Sequence, residues 1–305
     1  MEKHRKKLIK NATVFDGHSS GLAQGKKIVI EDDIVTEITA DEVSEENFDE
    51  VFDGTGMVAM PGMTDAHVHM GCLFAKGEFP VDYATALTVA KCKDALMAGF
   101  TTFRDAGSVS EGLKLAFDEG VLPGPRIYPC GAYISQTCGH GDSEYAHTYR
   151  DIQYRHPSST VLADGVPEII RAVREQFYRG ASHIKLMATE ILNRHEDIRL
   201  LFGTDMMITG PDYQVEQSED IRYYEKRFGT MRALRALTGT ANEVFALTTY
   251  QNPYPKGKIG VLEAGSYADL LLVDGDPTKS VSVLADTDHL RLIMKGGTVY
   301  KNTLC

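Results

Sequence analysis

Two histidines separated by one residue close the run Met60-Pro61-Gly62-Met63-Thr64-Asp65-Ala66-His67-Val68-His69. Residues i and i+2 of a β-strand project from the same face. A strand ending at His69 therefore presents two imidazoles side by side, which is half of a metal site. Imidazole donors favour zinc, and other divalent ions accept the same set. A bare His-x-His is just as easily a pair of loop histidines. The apolar approach and the Pro-Gly and Asp ahead of the pair make this string informative.

Such a pair has to be carried by strands, and the chain supplies strands of two kinds. Leu8–Phe15, Lys27–Ile30 and Ile34–Ile38 are apolar and β-branched, and Asp16-Gly17, Asp32-Asp33 and Asp53-Gly54 punctuate them with turn chemistry. The other end reads the same way. Ala268–Val273 and Leu290–Met294 are strands, and Gly296-Gly297 predicts a hairpin turn before Thr298–Tyr300. Either these ends are two β modules, or they are one β-sandwich with a domain inserted between its halves.

The middle alternates strands (100–103, 126–129, 183–188) with helices. A helix is predicted over 81–97 with Gly99 as its stop. A second starts at Ser110 and stops at Gly120. A third runs from Asp164, with Pro167 in its first turn, to Gly180. In the third, Ile169, Ile170, Val173 and Phe177 are expected to form the buried face. Strand–helix alternation implies a parallel sheet with crossover helices, open or closed into a (β/α) barrel.

Composition narrows the field. The chain has 305 residues, enough for one large or two ordinary domains, and its 43% hydrophobic and 25% charged content is globular. The net charge of −11 argues against nucleic acid or an anionic membrane as partner. No apolar run reaches the ~18 residues of a membrane span, and no apolar segment follows the basic start as in a signal peptide. Five irregularly spaced cysteines, Cys72, Cys92, Cys130, Cys138 and Cys305, indicate reduced thiols and a cytoplasmic setting. No G-x-G-x-x-G or P-loop string supports a dinucleotide or phosphate module.

Several strings beyond the His-x-His carry a family resemblance. They are Gly99-Phe100-Thr101-Thr102-Phe103-Arg104-Asp105-Ala106-Gly107, Pro123-Gly124-Pro125-Arg126-Ile127, Thr137-Cys138-Gly139-His140-Gly141-Asp142, His183-Ile184-Lys185-Leu186-Met187-Ala188, Phe202-Gly203-Thr204-Asp205 and the tail from Gly265 to Pro277. Together they resemble the amidohydrolase superfamily of metal-dependent hydrolases, in its imidazolonepropionase-like and Xaa-Pro dipeptidase-like branch. The fold this implies is α/β, a TIM-like (β/α) barrel inserted in a β-sandwich formed by both termini. Residues 1–58 with 257–305 would make the sandwich, and 59–256 the barrel.

The resemblance also implies roles. His67 and His69 would bind a first divalent metal, zinc by preference, with one or two ions in all. Lys185 would bridge as an N-carboxylated side chain, because a free ammonium has donors only. Asp205 would be both ligand and general base toward a water whose pKa the metal brings to about 7. His140 would contact a small-molecule or dipeptide substrate, a role no more favoured than a structural one. Arg104 and Asp105 are expected to form a salt bridge under the site.

The chain departs from the family in one place. Histidine ligands expected after the fifth and sixth barrel strands are missing, and only 20 positions separate Lys185 from Asp205. One βαβ unit needs about 30 residues. Met60 to Lys256 is 197 residues, against about 250 for a typical barrel. Strands five to seven are thus absent from this reading, with a seam at Glu190-Ile191. His156 and His195 lie in turn-like and polar contexts and are not assigned as replacements. Three resolutions stay open: direct pairing of the flanking strands, a second chain filling the gap in a homo-oligomer, or segments more distant in the parent gene product. Two functions follow, a hydrolase of carbon–nitrogen bonds and a catalytically impaired remnant acting as a structural or partner subunit.

Overall fold

The computed structural model describes residues 5–70, 81–107, 111–139, 141–142, 160–186, 199–207 and 213–304. The N-terminal part gives strands β1 (Lys6–Val14), β2 (Ala23–Glu31), β3 (Ile34–Thr39), β4 (Glu50–Asp53), β5 (Val58–Pro61) and β6 (Met63–His69). The middle gives α1 (Val81–Met97), β7 (Phe100–Asp105), α2 (Glu111–Asp118), β8 (Arg126–Tyr128), β9 (Tyr133–Ser135), β10 (Thr160–Leu162) and α3 (Val166–Tyr178). Then come β11 (Met206–Met207), α4 (Tyr213–Phe228), α5 (Thr230–Leu237), α6 (Gly239–Phe245), β12 (Leu270–Val273), β13 (Leu290–Lys295) and β14 (Thr298–Asn302).

Strands from both ends share one eight-stranded sheet, ordered β14-β13-β12-β5-β1-β2-β3, with β4 also on β1. The join is β5 against β12, antiparallel from Val58↔Val273 to Pro61↔Leu270. Every residue of β5 and β12 is buried, as strands covered on both faces require. Successive side chains of β12 serve different cores. Leu270 and Leu272 pack with Ile9, Ile28 and Leu292. Leu271 and Val273 pack with Phe100, Phe103, Leu96 and Leu237 of the α/β region. The predicted Gly296-Gly297 turn is present, with φ of 54° and 70°. Two successive positive φ values suit the tight turns that match strand twist, and glycine adopts them without penalty.

The second sheet is parallel and ordered β11-β6-β7-β8. Beyond it, β9 pairs with β10 in parallel, and Leu186 bridges to Ile134. β11 pairs with β6, so the chain around Asp205 comes to lie beside the His-x-His strand. Helix α1 matches its expected bounds, and Gly99 stops it at φ 88°.

Helix α3 corrects two expectations. Asp164 does not cap it: its carboxylate accepts from the Thr137 backbone N–H and hydroxyl, and Gly165 holds the cap position. The buried face is Ala172 and Gln176, while Ile169 and Ile170 are exposed. The polar Gln176 goes inside because the chain kinks at Gly131 (φ 68°), and the Gln176 Oε1 accepts the Ala132 N–H at 2.9 Å. The bond satisfies a buried backbone donor, while Gln176 Nε2 is itself left buried without a partner. Ser110 lies outside the described residues.

Candidate metal centre

The site is built on β6. Burial of Met63 through Ala66 anchors the strand, and Gly62 at its approach leaves room for Thr101, whose Oγ1 would lie 2.1 Å from an added Cβ. His67 and His69 emerge on one side with ring centroids 5.3 Å apart. The segment before β11 continues the ladder: Ala66 N–H donates to Phe202 O at 2.8 Å, and Asp205 N–H to His67 O at 2.7 Å. Asp205 sits at φ 55°, in the left-handed region that aspartate tolerates better than most residues. That turn aims its carboxylate back across the strand. Its Oδ1 lies 3.1 Å from His67 Nε2 and 3.3 Å from His69 Nε2. From the opposite side Lys185 places Nζ 2.9 Å from His67 Nε2.

Burial of His67, followed by the nearby Lys185 charge, brings its pKa down to about 4 against the pull of Asp205, so the ring is neutral at pH 7. A neutral imidazole nitrogen either accepts or donates. It can serve the Lys185 ammonium or the Asp205 carboxylate, but not both. A cation between His67, His69 and Asp205 removes the conflict, and those three donor atoms lie within 4.8 Å of one another. The donor set therefore fits a divalent metal. Lys185 as a free ammonium does not, and would join only as an N-carboxylated group.

Three supporting residues had no role in the sequence reading. Asp65 is fully buried, and its carboxylate accepts from Thr204 Oγ1 (2.8 Å), Thr204 N (3.3 Å), His67 N (3.1 Å) and Gln217 Nε2 (3.2 Å). It ties β6, the bend before Asp205 and α4 together. Burial raises its pKa to about 7 despite those donors. His183, two residues before Lys185, holds its Nδ1 3.0 Å from Ser182 Oγ, and burial lowers its pKa to about 3. Asp65 was visible in the motif string, whereas nothing in the sequence marks Gln217.

The remaining expectations resolve unevenly. Arg104 and Asp105 are consecutive on β7 and point to opposite faces. Arg104 Nη1 donates to Ala66 O at 3.3 Å, while Asp105 accepts from Met70 N (3.4 Å) and Gly107 N (3.2 Å). They brace β6 separately, not as a bridge to one another. His140, His156, His195, Cys72, Cys305 and the Glu190-Ile191 seam lie outside the described residues. Cys92 and Cys130 are buried and free, and Cys138 is exposed and free. Among the described residues no helix is long and apolar enough to cross a membrane.

Residues 58–198 match the amidohydrolase family. Ochratoxinase of Aspergillus niger is 34% identical over 152 residues, 43% of this chain and 31% of that protein. A 5-methylthioadenosine/S-adenosylhomocysteine deaminase of Dictyoglomus turgidum is 34% identical over 70 residues, 23% of this chain and 16% of that one. The match thus spans about a third or less of these relatives' length. Among solved structures, a prolidase complexed with N-methylphosphonate-L-proline superposes with a TM-score of 0.83 at 22% identity, over 97% of this chain and 100% of the other. The ochratoxinase structure gives 0.77 at 19% identity, over 99% and 96%. A Xaa-Pro dipeptidase with bound methionine gives 0.74 at 20% identity, over 97% and 100%. The fold is therefore the α/β, TIM-like barrel fold of these proteins.

Proposed function

We propose, from the match of residues 58–198 to the amidohydrolase family and the fold shared with the prolidase structure, that the chain is a metal-dependent hydrolase of carbon–nitrogen bonds of that superfamily, acting on an amide or a dipeptide. The supporting observation is the convergence of His67 Nε2, His69 Nε2 and Asp205 Oδ1, with Lys185 Nζ on the same imidazole. His67, His69, Asp205 and an N-carboxylated Lys185 would hold one or two divalent ions, zinc by preference. A bound ion supplies an activated water near neutral pH and polarises the scissile carbonyl. Asp205, with its side chain 72% exposed, is free to take a proton from the attacking water and deliver it to the leaving nitrogen. The neutral His67 keeps its lone pair for ligation. His140 is proposed to meet the substrate.

We assign residues 1–58 and 257–305 to a composite β-sandwich and 59–256 to a barrel lacking strands five to seven. Strands β1 to β4 and β12 to β14 in one sheet support a composite terminal domain, which the structure extends through β5 to Pro61, and the 20 positions between Lys185 and Asp205 support the second assignment. The same spacing favours one other reading, a remnant that keeps the family's surface without turnover. The inferred setting is cytoplasmic, with small-molecule substrates, and with neither nucleic acid nor membrane as partner.

Metal analysis of the purified protein, alongside a hydrolysis panel of N-acyl amino acids and Xaa-Pro dipeptides, separates the two. The hydrolase reading expects at least one divalent ion per chain and turnover, both lost in His67→Ala. A folded, monodisperse, metal-free protein inactive on the panel establishes the remnant instead.

A further inference from the structure

A cavity of about 830 Å3 opens between the terminal sheet and helix α5, and none of its lining residues belongs to the metal centre. That volume falls in the range of small-molecule sites, roughly 300–1,000 Å3. Its wall is chemically mixed. Leu22, Ile38 and Leu262 supply apolar surface, and Asp16, Glu263 and Arg235 supply charge.

The charges are not equivalent. Asp16 is consumed by its own turn, accepting from His18 N (3.0 Å), Ser19 N (2.7 Å) and Ser19 Oγ. Those bonds hold its carboxyl below the usual range against the opposing effect of burial. Glu263 is paired with Lys258 at 2.5 Å. Arg235 is the exception. It lines the cavity from the last turn of α5, half-buried, and among the described residues its guanidinium has no hydrogen-bond partner. Among the described residues no carboxylate pairs with it. A guanidinium offers a planar fork of donors matched to a carboxylate.

The joint beside the cavity is closely packed. Beside the cavity, Gly17, Gly239 and Gly260 interlock so closely that a Cβ on Gly239 would lie 2.1 Å from Gly17 O, and one on Gly260 2.6 Å from Thr238 O. Leu262 N–H donates to Asp16 O at 3.0 Å across the same joint.

We propose that this cavity is a second binding site, for a small organic carboxylate with a compact apolar body, held by Arg235. The carboxylate sits on the guanidinium, and the apolar body lies against Leu22, Ile38 and Leu262. A neutral analogue leaves Arg235 unpaired, and an inorganic anion leaves the apolar surface wet.

Isothermal titration of the full chain with 3-phenylpropionate tests this, with 3-phenylpropionamide and sulfate as controls. Binding is expected for the acid, at least tenfold weaker for the amide and for sulfate, and at least tenfold weaker for the acid in Arg235→Gln. Ser20→Glu, at an exposed position on the cavity rim, is expected to weaken the acid severalfold by charge repulsion, and decides the matter if Arg235→Gln does not fold. His67→Ala should bind the acid as the wild type does. The proposal is overturned by absence of binding, by unchanged affinity in a folded Arg235→Gln or in Ser20→Glu, or by loss of binding in His67→Ala.

Discussion

The terminal sheet and the parallel sheet are held in different ways. The terminal sheet rests on continuous apolar strands and a two-glycine hairpin, and its centre, β5 and β12, is buried on both faces. The parallel sheet around the metal centre rests on long-range polar ties: Asp65 to Thr204 and Gln217, Arg104 to Ala66, Tyr224 OH to Leu201 O at 3.2 Å. Apolar burial tolerates small shifts because it is non-directional. Hydrogen bonds fix distances, which is what converging ligands need. One region supplies stability, and the other spends buried polar groups on geometry.

Where the two regions meet, Arg126 of β8 donates to Asp269 through Nε (2.7 Å) and Nη2 (3.2 Å), and stacks 3.9 Å from the Tyr267 ring. Gly296 N–H, in the hairpin turn, completes Asp269 at 2.6 Å. The largest effect is expected here. Arg126→Met leaves the Asp269 carboxylate buried and unpaired, at a cost of about 3–5 kcal/mol. Urea denaturation should show it, and a change below 1 kcal/mol would mean that the seam is held by apolar packing alone.

Asp65 gives the next effect. Its folded pKa of about 7 lies above the unfolded value of 3.8, so between those pH values the folded state binds the extra proton. Its contribution is full below about pH 4 and is lost as pH rises through 7, at up to ~1.4 kcal/mol per pH unit. In chelator-treated protein, Asp65→Asn should flatten the stability profile between pH 4 and 7. An identical slope in both proteins would place the titration elsewhere.

A smaller change probes the ligand geometry. A Cβ at Gly203 would lie 2.7 Å from His67 Cβ. Gly203→Ala should cost about 1–3 kcal/mol and reduce metal retention, read by metal analysis of the purified variant. Retention equal to wild type would show that His67 has room to move. The smallest effect belongs to the solvent face of α3, where Arg179 pairs with Glu175 at 2.6 Å one turn away. Arg179→Ala should cost no more than about 0.5 kcal/mol in the same urea assay. A larger loss would mean that polar ties on the surface matter as much as buried ones.

The same contrast explains what could be read without coordinates. Strands of the terminal sheet, the Gly296-Gly297 turn, α1 with its Gly99 stop and the His-x-His pair were all legible, because each is written in local periodicity or turn chemistry. Ile169 and Ile170 misled because helical spacing favours apolar faces, and it was the Gly131 kink, 45 residues before Gln176, that drew that polar side chain inward. Arg104 and Asp105 invited a pairing that strand alternation forbids. The grip of Gln217 on Asp65 spans 152 positions and leaves no local trace.

The central place of β5 also sets a schedule for the growing chain. Its neighbour β12 begins at Leu270, more than two hundred residues after β5 ends at Pro61. At about 5–20 residues per second, translation takes some 10–40 s to cover that distance. Throughout that interval the most apolar edge of the terminal sheet has no partner strand. Val58, Ala59 and Met60 therefore stay without their β12 partner strand until that segment is made.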